Sequence, residues 1–117
     1  MRKDLRKGLY EGMYILSATL SDEARQKAFE KITNGILEKQ GVIHKIHEQG
    51  RRKLAYPIEG KREGFYYVVY FEFPTQQIAK IWGEYQLHED LIRFMTMRIE
   101  KVQETLDFKP IKTHSGV

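Results

Sequence analysis

The 117-residue chain contains no cysteine, which excludes a disulfide scaffold, a thiolate zinc site, a cysteine nucleophile and an iron–sulfur cluster, and suits a reducing compartment. It has only three prolines. No apolar run approaches the roughly 18 residues that a membrane-crossing helix needs. The N-terminal residues Met1-Arg2-Lys3-Asp4-Leu5-Arg6-Lys7 are basic, but no apolar stretch follows them as in a signal peptide. The expectation is a soluble cytoplasmic protein. The short motifs of a nucleophile elbow, a zinc protease, a P-loop and a dinucleotide-binding turn are missing as well. Four histidines occur: His44, His47, His88 and His114. His44 and His47 are three apart on an extended segment, so simple alternation sends them to opposite faces. All four read as solvated surface residues. Glu89 and Asp90 are adjacent in sequence and do not form a defined acid/base pair. We therefore expect no catalytic residue, no metal site and no cofactor.

What is present suffices for one core. Hydrophobic residues make up 41% of the chain and aromatics 12%, so the composition is not that of a disordered segment. Leu9–Leu16 is rich in β-formers and reads as a strand. Ser21 caps a helix over 21–40, with Asp22 and Glu23 in its first turn and Ala24, Ala28, Ile32 and Ile36 at helical spacing. Gly41 is expected to end it in the left-handed conformation. Val42–Ile58 is one long extended segment with a bulge or bend at Gly50, and Pro57 assigns it to a sheet edge. Phe65–Phe73 is a third strand. Pro74-Thr75 opens a second helix with Ile78, Ile81, Trp82 and Tyr85 on its buried side. Leu91–Lys101 is a fourth strand. The order β-α-β-β-α-β, with right-handed crossovers, predicts an α+β ferredoxin-like split βαβ sandwich. Both helices cover one face of a four-stranded antiparallel sheet, with strands one and three central. We divide the chain into a basic extension (1–8), one domain (9–104) and a mobile tail (105–117).

That fold is shared with the RNA-recognition motif, and Glu63-Gly64-Phe65-Tyr66-Tyr67-Val68-Val69-Tyr70 matches its third-strand signature in part. Base stacking would require Phe65 and Tyr67 on the free face. Burying Glu72 on the other parity would be costly, so Phe65, Tyr67, Val69, Phe71 and Phe73 should face the core. A base-stacking platform is therefore disfavoured. The net charge of +4 is modest, but Arg51, Arg52 and Lys53 are consecutive and a hairpin brings Lys61 and Arg62 near them. Such a patch suits backbone phosphates, and it also suits the plain protection of an edge strand.

The string Gly50-Arg51-Arg52-Lys53-Leu54-Ala55-Tyr56-Pro57-Ile58, followed by Gly64-Phe65-Tyr66-Tyr67, resembles the bacterial small-subunit ribosomal protein six family. Tyr10-Glu11, Gly41-Val42 and Arg93–Arg98 extend the resemblance over roughly residues 9–100. It implies a ferredoxin-like fold and a non-enzymatic role on the ribosome. The expected function is binding the central domain of small-subunit ribosomal RNA together with small-subunit ribosomal protein eighteen. Glu59 and the tail Lys112–Val117, which lacks the glutamate-rich ending of some members, depart from the family. Under this reading Arg51, Arg52 and Lys53 contact phosphate, with Lys61, Arg62 and Arg93 in support. The alternative is a protein-interaction module or a single-stranded RNA binder like the RNA-recognition motif.

Alternation also predicts the two faces of the sheet. Leu54, Tyr56 and Ile58 should face the helices, with Met95 and Met97 from the last strand, while Arg98 and Glu100 mark its solvent side. Met13, Tyr66, Val68, Tyr70 and Phe94 should lie on the free face as an exposed apolar surface for a protein partner.

Overall fold

Ser21 starts the first helix as its sequence implies. Its hydroxyl accepts from the Ala24 N–H at 3.1 Å, and Asp22 and Glu23 sit in the positive first turn. The computed structural model describes residues 6–58 and 60–102. Glu59, the first five residues and the segment from 103 onward, with the tail and its expected mobility, lie outside the described residues. The elements are β1 (Lys7–Ser17), α1 (Asp22–Glu38), β2 (Val42–Ile58), β3 (Lys61–Pro74), a 3-10 turn (Thr75–Gln77), α2 (Ile78–Gln86) and β4 (Leu91–Arg98). The sheet order is β2-β3-β1-β4, all antiparallel, so β1 and β3 are central. This is the expected ferredoxin-like split βαβ arrangement. Because β1 opens at Lys7, the last two residues of the supposed extension belong to the sheet.

α1 closes differently from expectation. The left-handed residue is Gln40, at φ 70°, and Gly41 follows it. The Gly41 N–H bonds back to the Ile36 carbonyl at 2.9 Å and the Gln40 N–H to that of Leu37 at 3.1 Å. Gly41 is needed for space, since a Cβ there would sit 2.6 Å from Ile36 Cγ2 and 2.9 Å from Phe73 Cδ1.

Between sheet and helices lies the main core: Tyr10, Tyr14 and Leu16 of β1, the odd residues Phe65–Phe73 of β3, Ala28, Ile32 and Ile36 of α1, and Ile81 and Tyr85 of α2. The predicted parity of β3 holds, with Phe71 1% exposed and Glu72 half-buried. The hydroxyls of Tyr14 and Tyr85 bond to each other at 3.0 Å, which satisfies both polar tips in the core.

The edge strands depart from simple alternation. β2 slips register at three places, between Ile43 and Lys45, Glu48 and Gly50, and Lys53 and Ile58. Each extra residue flips the following side chains. Leu54 packs with Ile15 and Tyr66 on the free face, and Leu54, Tyr56 and Ile58 line one small hollow there instead of facing the helices. The same slippage brings His44 and His47 to one face. His44 bonds Glu72 Oε2 at 2.9 Å, and the His47 ring meets that of Tyr70 edge-on.

β4 is likewise the reverse of expectation. Phe94 opposes Tyr14 on the helix side, against Trp82 and Tyr85, and Trp82 donates from Nε1 to Thr96 at 3.1 Å. Met95 packs on the free face and Met97 is half exposed. Arg98 opposes Tyr10 on the helix side, with its guanidinium 5.5 Å from the ring centre, and is exposed there, so an exposed charge did not mark the free face. β4 has apolar residues on both parities, and its position under α2 decides between them.

His88 is buried, contrary to expectation. Its Nε2 donates to the Ala28 carbonyl at 3.1 Å, and Nδ1 accepts from the Asp90 N–H at 3.3 Å, tying the α2–β4 turn to α1.

Candidate nucleic-acid interface

β2 and β3 run on past the end of β1. Ser17 of β1 pairs with Gly64, so Lys61–Glu63 have β2 as their strand neighbour. In this outer ribbon Arg51 pairs with Phe65, Arg52 with Gly64 and Lys53 with Glu63, and the next pair is Ile58 with Lys61. Leu54–Pro57, four residues opposite the single residue Arg62, therefore bow out of the ladder and form a strap. Gly50 and Gly60, both at φ 79°, permit the bulge before the strap and the turn after it.

Residues 50–64 hold five cations and two acids, accounting for three of the chain's four net positive charges. The ribbon presents them on both faces. Arg51 and Lys53 align with Phe65 and Glu63 on the helix side, whereas Arg52 aligns with Gly64 on the free side. Arg93 stands on the same free face, opposite Ile15.

The six expected RNA ligands are not equivalent. Arg51 is exposed but held by its neighbours: Nη1 donates to Glu63 Oε1 at 2.9 Å, Nη2 to the Ala18 carbonyl at 3.4 Å, and the guanidinium lies 5.4 Å from the Phe65 ring centre. Arg25 of α1 lies over the same ring at 4.3 Å, a contact no sequence pattern signalled. Arg52 donates from Nε to the Gln49 carbonyl at 2.8 Å and remains exposed, as do Lys53 and Arg62, while Lys61 is half-buried. Arg93 is half-buried under the strap, against Tyr66, and its Nε has no hydrogen-bond partner among the described residues. Burial raises the Tyr66 phenol pKa, with the Arg93 charge acting in the opposite direction.

The residues expected to form an open partner surface do not form one. Tyr66, Val68 and Tyr70 are 2%, 3% and 1% exposed, and Phe94 belongs to the helix side. Tyr66 is covered in part by the Leu54 strap. Met13 remains half-buried on the free face. Among the described residues no group of three or more histidines and carboxylates is placed to hold a metal ion.

Comparison with known proteins returns one consistent answer. The family described as "Ribosomal protein S6" matches residues 9–98. The small ribosomal subunit protein bS6 of Protochlamydia amoebophila strain UWE25 is 57% identical over 103 residues, covering 88% of this chain and 90% of that protein. Its counterpart from Chlamydia pneumoniae is 56% identical over 100 residues, 86% of this chain and 89% of that one. Among solved structures, the 30S ribosomal protein S6 of Thermotoga maritima superposes with a TM-score of 0.76 at 32% identity, covering 80% of this chain and 89% of that chain.

Proposed function

The chain belongs to the ribosomal protein S6 family, and from that membership we propose that it binds the central domain of small-subunit ribosomal RNA through its outer β2–β3 ribbon. In this reading it does so together with small-subunit ribosomal protein eighteen. Members of the family are structural components of the small subunit and not enzymes.

The observation that carries the RNA reading is the concentration of excess positive charge on exposed side chains of one projecting ribbon. Cations there meet phosphates without needing a base-specific code. Arg52, Lys53 and Arg62 are the direct phosphate ligands. Arg93 and Lys61 support them, and Arg51 orients the ribbon through Glu63 and Ala18. Burial of Phe65 and Tyr67 in the main core argues against base stacking in the manner of an RNA-recognition motif.

Filter binding to total small-subunit ribosomal RNA, alone and with the partner protein, tests this. Arg52→Glu with Lys53→Glu should weaken retention and lower the salt slope by about one unit per lost contact, with the fold intact. Unchanged affinity at moderate salt would remove the ribbon from the interface.

A further inference from the structure

Alongside α1 the edge strand β2 leaves a groove. Its floor is apolar: Phe29 and Leu37 from α1, Ile43 and Ile46 from β2, and Tyr67 from β3. Phe29 stacks on Tyr67 with ring centres 4.1 Å apart. Leu37 and Ile46 remain 52% and 40% exposed, and for two aliphatic side chains facing one groove that is an unfilled surface. Among the described residues β2 has β3 as its one strand neighbour, so β2 is an edge of the sheet they form.

The rim is acidic. Asp22, Glu30 and Glu48 line it. The cation beside them, Arg25, bonds Asp22 at 3.3 Å and is laid over Phe65. A net-negative rim on a net-positive protein repels phosphate and attracts cations, so this groove and the cationic ribbon suit different partners.

We propose that the α1–β2 groove receives an extended, cationic segment of a protein partner, which pairs with the edge of β2 as a fifth strand. Alternate side chains of such a strand point the same way, so every second one enters the groove. Apolar residues at those positions would cover Leu37 and Ile46, and Lys or Arg beside them would meet Asp22, Glu30 and Glu48. The proposal rests on the reading that this protein works with a protein partner, and it moves that contact from the free face to the helix side of β2.

The test uses the full chain, labelled with ¹⁵N, and two synthetic peptides of about nine residues, the length of an ordinary strand. Both carry valine at alternate positions, one with lysine between and the other with glutamate. The lysine peptide should shift the amides of residues 42–48 and of Leu37 saturably, and the glutamate peptide should bind about tenfold more weakly or worse. Ile46→Lys, or Leu37→Lys where the first variant folds poorly, should abolish the lysine-peptide shifts while ribosomal RNA retention stays at wild-type level. Equal binding of both peptides, no saturable shift, or shifts confined to other residues would overturn the proposal. So would a single-stranded RNA oligonucleotide shifting the same amides, or concentration-dependent shifts there without peptide, which would mark a second copy of the chain as the occupant. Loss of both peptide and RNA binding in a folded variant would show that the two surfaces are not separate. If the wild-type protein retains no ribosomal RNA yet binds the lysine peptide as described, the RNA reading fails and the groove stands.

Discussion

Gln40, Gly41 and Gly50 lie at breaks in regular structure, and substitution should affect each in its own way. Gln40 carries the positive φ of the α1 terminus with a full side chain, so Gln40→Gly should raise stability by about 0.5–1 kcal/mol. Gly41→Ala should lower it by about 1–3 kcal/mol, because the new Cβ would sit 2.7 Å from the Ile36 carbonyl oxygen and 2.9 Å from Phe73. A Cβ at Gly50 would meet no atom within 4 Å, so Gly50→Ala should cost only the left-handed backbone, about 1–2 kcal/mol. Urea titrations of the three variants give the ordering, and a stabilising Gly41→Ala would refute the crowding argument. In the core, Phe71→Ala should cost about 3–5 kcal/mol, a large share of the stability of a small domain. The Gly41 contacts could not be read from the sequence, since they depend on how β3 passes beneath the end of α1.

Among the elements, α1 and β3 were legible because each carries a strong, uninterrupted signal. Ser21, the acidic first turn and the Ala28-Ile32-Ile36 spacing leave α1 little freedom, and Ser21→Ala should cost about 1 kcal/mol through the lost cap. β3 was oriented by one residue, Glu72, whose charge would not tolerate the core. β2 and β4 were misread for opposite reasons. Three slips in β2 cancel the meaning of odd and even positions, and β4 offers apolar residues on both sides. The strap is the clearest case. Leu54 and Ile58 are apolar, but they close the free face over Ile15 and Tyr66 and do not join the main core. Leu54→Ala should therefore cost about 1–3 kcal/mol, less than Phe71→Ala, because Leu54 is only half-buried. A larger loss than at Phe71, measured in the same urea titrations, would mean that the free-face cluster is the more important of the two.

Taken as a whole, the molecule buries phenols. Burial raises the pKa of Tyr14, Tyr66, Tyr67, Tyr70 and Tyr85 above the ordinary value, and Tyr14 and Tyr85 also bond each other and titrate as a pair. A pKa raised on folding contributes stability that is fully present below the unfolded value, near pH 10, and is lost as pH climbs through the folded value. Stability should thus stay level from neutrality to about pH 9 and then fall, by up to about 1.4 kcal/mol per pH unit for each such phenol. Urea unfolding across that range, with phenolate absorbance followed in parallel, checks this. Full ionisation of these tyrosines in a chain that is still folded would contradict it.

The sequence by itself determined the element order, the sheet order, the parity of the two central strands and the cationic ribbon. These follow from local signals: caps, periodicity, turn residues and charge runs. The resemblance to the family was carried mainly by the string Gly50–Ile58, whose side chains the sequence could not orient. Only the tertiary structure decided which way β2 and β4 face, that Arg51 is engaged by Glu63 and the Ala18 carbonyl, that His88 is buried, and that Tyr66, Val68 and Tyr70 are covered. The physical reason is that a central strand, paired on both sides, keeps its alternation, whereas an edge strand with one neighbour can absorb extra residues. Which face its side chains reach is then set by the packing of the whole chain.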